Sequence, residues 1–419
     1  MRTAWPLLAF GLTACDSAPL APAGHAPALE EIGRTVPSPV RSDWLVAHQA
    51  TPVAPQGEPP PAWSALEQAI DPQSCGTCHA QQLEDWSSSW HALGMGPGVM
   101  GQLVDWDGVN DGLVGQCNRC HAPLSEQTPR VRVGEGDAAS WSDNPDYIAS
   151  SRSQGLTCAG CHVRGHLRFG PPNDTNDGSA GPHAGFVARA EFRDPAFCAD
   201  CHDFKPGQKA LNGKLLQETS EEWARTPQAA AGQTCQTCHM PEGRHLWKGI
   251  HDPDTVRGAI DVQARLTAPG SGFFDPIQAS LALTNTGAGH RLPTYSTPQI
   301  TLIVEQVDAV GQAIAGTRQE GAVTRHITPN LKEELVDTRL LPGETYTMPY
   351  QARRDGDAVA LAARVEVWPD EAYRRFYEIK LRHADNHPLG LGQLKQALQS
   401  SIDSRYVVWE QQLPLGPAD

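Results

Sequence analysis

Cys75-Gly76-Thr77-Cys78-His79 decides how this chain is read, because the same five-residue pattern returns four more times. The copies are Cys117-Asn118-Arg119-Cys120-His121, Cys158-Ala159-Gly160-Cys161-His162, Cys198-Ala199-Asp200-Cys201-His202 and Cys235-Gln236-Thr237-Cys238-His239. Two thiols three positions apart can each add to one vinyl group of a porphyrin, while the next residue brings its imidazole beneath the iron. That is the attachment signature of c-type haem. Five copies predict five covalently attached haems, held by the ten motif cysteines, with His79, His121, His162, His202 and His239 as proximal iron ligands. Competing chemistries fail on the histidines. A four-cysteine zinc site has no use for a His after every second Cys, and a disulfide framework leaves five adjacent imidazoles unexplained. The motifs use ten of the eleven cysteines, and only Cys15 is left over.

Outward from the motifs, the proximal histidines recur at intervals of about forty residues, which marks a repeated unit of one haem with its short helix and loop. The connections are heavy in Gly, Pro, Asp and Asn, as in Gly170-Pro171-Pro172-Asn173-Asp174. Such a region has little conventional core, and the porphyrins are expected to supply the apolar mass. The candidates for the sixth iron positions are His91, His166, His183, His245, His251 and His290. His91 follows His79 on a stretch, 81–93, that reads as helix; over twelve residues a helix rises about 18 Å, so His91 is expected to serve a different haem. His166, four residues after His162, lies on the same side of a helix and not across the ring. Distal ligands are therefore expected to be exchanged between motifs.

Longer stretches around the motifs carry a resemblance. Trp86-Ser87-Ser88-Ser89-Trp90-His91, His121-Ala122-Pro123, His162-Val163-Arg164 with Phe169-Gly170-Pro171-Pro172, Phe197 to Phe204 around the fourth motif, and His239-Met240-Pro241 are similar to the multihaem cytochromes c related to hydroxylamine oxidoreductase and its tetrahaem acceptor cytochrome. The match covers about residues 72 to 252. The resemblance implies that His91, in its Trp-x-x-Ser-x-His setting, is a distal ligand, and gives similar parts to His183 and to His245 or His251. The pentahaem nitrite reductases of the wider group carry Lys in place of one motif His, and no such Lys occurs here; nor can the tyrosine cross-link of hydroxylamine oxidoreductase be assigned to any Tyr. Both departures weigh against an enzyme.

At the amino terminus, Met1-Arg2 precedes a largely apolar stretch to Ala14, and Leu12-Thr13-Ala14-Cys15 resembles a bacterial lipobox. The stretch is too short to span a bilayer and reads as a cleaved signal over 1–15. An acylated Cys15 would hold the protein at a membrane surface without crossing it. The competing reading is a chance Cys in a plain secretory leader. Haem attachment takes place outside the cytoplasm, so either reading predicts a periplasmic or cell-surface location. Residues 16–71, rich in Pro with Pro59-Pro60-Pro61 near the end, are expected to form a solvated tether. Trp44 and His48 interrupt this composition and could dock on the body, His48 even as a haem ligand.

After Asp254 the cysteines stop and period-two patterns begin, at 259–267, 277–284, 299–307, 344–348 and 359–367. Helices are predicted over 370–383 and 391–401, with a returning strand over 405–411. This spacing predicts an antiparallel sandwich. Within it, Gly289-His290-Arg291-Leu292-Pro293-Thr294 resembles a loop of β-domains joined to multihaem cytochromes, whose His reaches back to a haem; nearby glycines allow close backbone approach. His326, His383 and His387 are expected at the surface.

The fold class expected is α+β and multidomain: a haem-packed, loop-rich, mostly α domain over 72–254, then an antiparallel β-sandwich over 255–419. The formal charge of −15 over 419 residues argues against nucleic acid and suits redox partner proteins that are cationic or small and soluble. The function expected is electron transfer by a membrane-anchored pentahaem c-type cytochrome with mainly bis-His haems. The alternative is a multihaem oxidoreductase with one open haem acting on a small nitrogen or sulfur compound.

Overall fold

The computed structural model describes residues 26–29, 32–134, 139–172, 182–272 and 275–417. The leader and Cys15 lie outside them. Four of the five motifs close a short helix on their histidine: Asp111–His121, Cys158–His162, Ala196–His202 and Cys235–His239. In the first, Cys75 lies in Pro72–Gly76 and His79 precedes the helix Ala80–Ser87. Positions i, i+3 and i+4 share a helix face, so this local structure turns both thiols and the imidazole to one side. Side-chain caps start several of these helices, with Asp71, Asn110 and Thr234 each accepting from an N–H three residues on.

Helix 80–87 is shorter than the sequence predicts. The hydroxyls of Ser87, Ser88 and Ser89 donate to the carbonyls of Leu83, Asp85 and Trp86 at 2.6–2.7 Å, and such local bonds compete with continuing the helix. His91 therefore sits in the turn beyond it.

The carboxy-terminal strands are β1 Ile260–Gly272, β2 Asp275–Asn285, β3 Gln299–Val307, β4 Gln319–Ile327, β5 Glu334–Asp337, β6 Thr345–Ala352, β7 Ala360–Trp368 and β8 Tyr406–Pro414. They form two antiparallel sheets, β6-β2-β1 and β5-β4-β3-β7-β8. Leu281 and Leu283 of β2, Met348 and Tyr350 of β6, Leu302 of β3, Val323 of β4 and Val365 of β7 belong to one buried cluster, so the two sheets share a core. The period-two stretches fall in β1, β2, β3, β6 and β7. Strands β4 and β5 are additional, and β4 escaped detection because its Thr324 and Arg325 are buried polar residues that break the alternation.

Helices Glu371–Arg382 and Leu391–Asp403 fold back onto Pro97–Leu103, just ahead of the second motif. The approach is close: a Cβ on Gly98 would fall 2.0 Å from the Tyr377 hydroxyl, and one on Gly101 3.0 Å from the Leu394 nitrogen. His387 is buried here, 3.9 Å from Asp105, and is not the surface residue that the sequence suggests.

The expected tether is corrected over its described part. Leu29, Leu45, His48 and Val53 are buried, and Val53 bridges Leu124. An extended, proline-rich chain forms no ladder of its own, but its carbonyls are free to accept. Those of Ala26, Pro27 and Leu29 accept from Lys214, Arg291 and Arg225, which holds the segment against the body.

Two of these cations, Lys214 and Arg291, belong to a buried ionic network. Lys214, Glu222, Arg291, Arg325, Asp337 and Arg339 are each at most 2% exposed. Arg339 bonds both oxygens of Asp337 at 2.9 Å and Glu222 at 3.1 Å, and Arg325 bonds Glu334 at 2.8 Å. Glu218 stands at its edge. Burial, and then the charge of Glu222, push its carboxyl up from 4.5 to about 7 against the pull of three arginines. A raised carboxyl pKa means that the folded state holds the proton more tightly than the unfolded one. The stability this contributes is complete below about 4.5 and is lost as pH rises through about 7, about 3 kcal/mol in all. Glu218→Gln, which keeps a neutral side chain at every pH, is thus expected to be more stable than the wild type at pH 8 but not at pH 4. Urea unfolding at the two pH values checks this.

No helix among the described residues is long and apolar enough to cross a membrane.

Candidate haem sites

A motif imidazole that is to hold iron needs one nitrogen free, and at three motifs a backbone carbonyl would select which. Nδ1 of His121 faces the Gly94 carbonyl at 2.6 Å, that of His162 faces Phe169 at 2.7 Å, and that of His239 faces Lys248 at 2.8 Å. An Nδ1–H that donates to a carbonyl leaves the Nε2 lone pair for the metal.

The test of whether haem fits is the spacing of second imidazoles. A metal–nitrogen bond of about 2 Å on each side, with the ring radii added, puts the centroids of two trans imidazoles about 6 Å apart. Three pairs show it: His202 with His91 at 6.3 Å, His162 with His245 at 6.1 Å, and His239 with His290 at 6.3 Å. Each joins a motif histidine to one distant in sequence. All are biased toward the neutral form that a metal ligand requires. Burial, with help from His202 and His245, pushes His91 down to about 3, and burial lowers His162 and His202 to about 4.

The other candidates are placed as follows. His183 has a left-handed backbone (φ 64°) and a buried Nδ1 without a partner. Its pKa is lowered first by burial, and His79 is among the charges acting on it, so it stands near the first motif. His251 does not join an imidazole pair: its Nε2 lies 3.0 Å from Asp370, and its ring packs on Trp90 at 3.9 Å. Between the two alternatives His245 and His251, the structure brings only His245 to a motif histidine. His166 and His48 face the carbonyls of Gly57 and Cys161 through Nε2, which engages the nitrogen that iron would need.

Among the described residues no second imidazole is in ring contact with His121. Its surroundings are different in kind. Tyr373 is 43% exposed as a residue, but desolvation of its hydroxyl raises its pKa, with Tyr295, Asp370 and Cys117 adding to the effect; its ring stacks on Tyr377, with centroids 6.0 Å apart. Tyr373 and Tyr295, with Asp370 and its partner His251, thus stand near one another, and Tyr373 is near Cys117 of the second motif. Neither tyrosine had a motif-like signal in the sequence.

The cysteines also make contacts between motifs. The Cys75 thiol lies against Cys158, Cys120 against Cys201, and Cys198 against Cys235, while Cys161 acts electrostatically on both Cys198 and Cys201. The fourth motif is therefore the junction, reaching the second and fifth directly and the third nearby.

Sequence reasoning missed Asp85 and Arg244. The Asp85 carboxylate accepts from Arg244 at 2.6 and 2.7 Å and from the His245 backbone N–H at 2.9 Å, so the helix after the first motif fixes the imidazole that faces the third.

No protein-family model matches the chain, and no curated protein matches it. Among solved structures it is similar to a penta-heme cytochrome c552 from Thermochromatium tepidum, with 16% sequence identity, a TM-score of 0.57, and coverage of 84% of this chain and all of that one. At that identity the likeness is one of fold, and the fold this chain shares is that of a penta-heme cytochrome.

Proposed function

We propose that this protein is an electron-transferring pentahaem cytochrome c, in which a haem-packed domain is followed by a β-sandwich that returns one ligand, His290, to the fifth motif. The observation that carries this reading is the set of three imidazole pairs whose ring centroids lie 6.1 to 6.3 Å apart. When bound, each haem would supply a reversible one-electron couple, and the paired imidazoles would close the third, fourth and fifth sites to substrate. His183 is proposed to close the first site. The thiol contacts support a compact array with the fourth motif at its centre. The name of the similar structure, a penta-heme cytochrome, agrees with five motifs here. Acylation of Cys15, attachment to a membrane surface outside the cytoplasm, kinship with hydroxylamine oxidoreductase and exchange with soluble redox proteins belong to the same proposal; a Cys15→Ser chain released into the soluble fraction would support the anchor.

A second reading rests on His121. With no imidazole in ring contact among the described residues, and Tyr373, Tyr295, Asp370 and His251 nearby, the second motif suits an open haem that takes a small nitrogen or sulfur compound. Electron paramagnetic resonance of the purified protein separates the two. The first reading expects low-spin signals throughout and no change with carbon monoxide, nitrite or hydroxylamine. One high-spin component that binds these ligands, and disappears in a His121→Ala chain, moves the assignment to the second.

A further inference from the structure

The segment from Met240 to Gly249 touches the ligands of three motifs within ten residues. Its far end is fastened to the fifth motif: the Trp247 N–H donates to the His239 carbonyl at 3.0 Å, and the Lys248 carbonyl faces His239 Nδ1 at 2.8 Å. Its near end is fastened by Arg244 to Asp85. Between the two anchors His245 turns toward His162. The Trp247 indole stands edge-to-face against His245, with centroids 5.1 Å apart at 89°, and against His91, 4.4 Å apart at 70°.

Trp247 has φ 42°. A bulky side chain in the left-handed region is strained, and such a conformation persists only where its surroundings over-determine it. Here the backbone bond to His239 imposes the conformation, and the outcome is an indole wedged between two imidazoles. A perpendicular ring edge restricts how each imidazole rotates about its metal–nitrogen axis, and that rotation affects the ligand field at the iron.

Resting on the imidazole pairing proposed above, we infer that Trp247 is a positioning residue shared by two haem sites, its indole orienting His91 for the fourth motif and His245 for the third. Disturbing it changes two sites together, although it is a ligand of neither.

The experiment uses the full chain carrying its haems and reads low-spin resonance signals and midpoint potentials. His91→Ala and His245→Ala first identify the two signals concerned, each variant removing a different one. If they do not, the pairing is wrong and the inference falls with it. With the signals identified, Trp247→Ala is expected to broaden or abolish both and leave the remaining signals in place, at unchanged haem content. Asp85→Asn, which weakens the bonds from Arg244 and the His245 N–H but leaves the Trp247 bond to His239 in place, is expected to affect only the His245 signal. If Trp247→Ala fails to fold, Trp247→Phe decides: the smaller ring is expected to shift the same two signals together. A change confined to one signal, spread over all, or absent leaves the pairing standing and overturns the shared role of Trp247.

Discussion

Replacing Arg339 by methionine is expected to destabilise the protein by about 3–5 kcal/mol. The guanidinium is 2% exposed and serves Asp337, Glu222 and the Thr294 carbonyl at once. Removing it leaves Asp337 with Lys214 and leaves Glu222 with only the Thr294 hydroxyl and the Arg291 N–H. The loss comes from stranding buried charge, since an ion pair replaced whole by apolar side chains can be neutral. The pH dependence identifies the mechanism. In the wild type, burial alone would raise Asp337, but Arg339 and Lys214 outweigh it and bring the carboxyl down from 3.8 to about 2. The stability this contributes is present above about pH 4 and is lost as pH falls through about 2. In the variant, acid neutralises the stranded carboxylates, so the difference from wild type should shrink between pH 7 and pH 4. Urea unfolding at both pH values measures it; a difference that is constant or grows in acid would refute the charge account. Because Arg291 and Thr294 flank the His290 loop, the signal of the fifth-motif haem is expected to broaden as well.

The second large effect is expected from Cys198→Ser combined with Cys201→Ser. These two thiols lie against Cys235 and Cys120, and Cys161 is near both. The double variant is expected to lose one covalent haem by mass and to cut the second motif off from the third and fifth, so that reduction of the remaining haems becomes markedly slower and multiphasic in stopped flow. The matching change at Cys75 and Cys78 removes a motif whose thiol contact is with Cys158 alone and is expected to leave the other haems reducing together. Equal kinetics in the two variants would remove the fourth motif from its place as junction.

The two predictions differ in how much of their basis was legible in the chain. The motifs are local: a thiol, a second thiol three residues on and an imidazole beside it share a face as soon as one helical turn forms, so spacing alone located them. Alternation likewise located β1, β2, β3, β6 and β7, whose apolar residues face one core. It failed at β4, where Arg325 is buried against Glu334 and the carbonyls of Leu211, Lys214 and Leu215. Those partners are remote in sequence, and without them a charged residue reads as exposed. Composition misled in the same way over the Pro-rich segment, because its carbonyls are taken up by buried cations that composition cannot see.

By itself the sequence located five Cys-x-x-Cys-His motifs and a mixed fold with an antiparallel β region, all of which follow from residues within a few positions of one another. The tertiary structure alone decided which imidazole meets which. His91 passes over its own motif to reach His202, His245 meets His162, and His290 comes back from the β region to His239, while His251 is diverted to Asp370. The reason is physical: a pair of imidazoles is set by two rings meeting across about 6 Å of space, and separation along the chain places no bound on that distance.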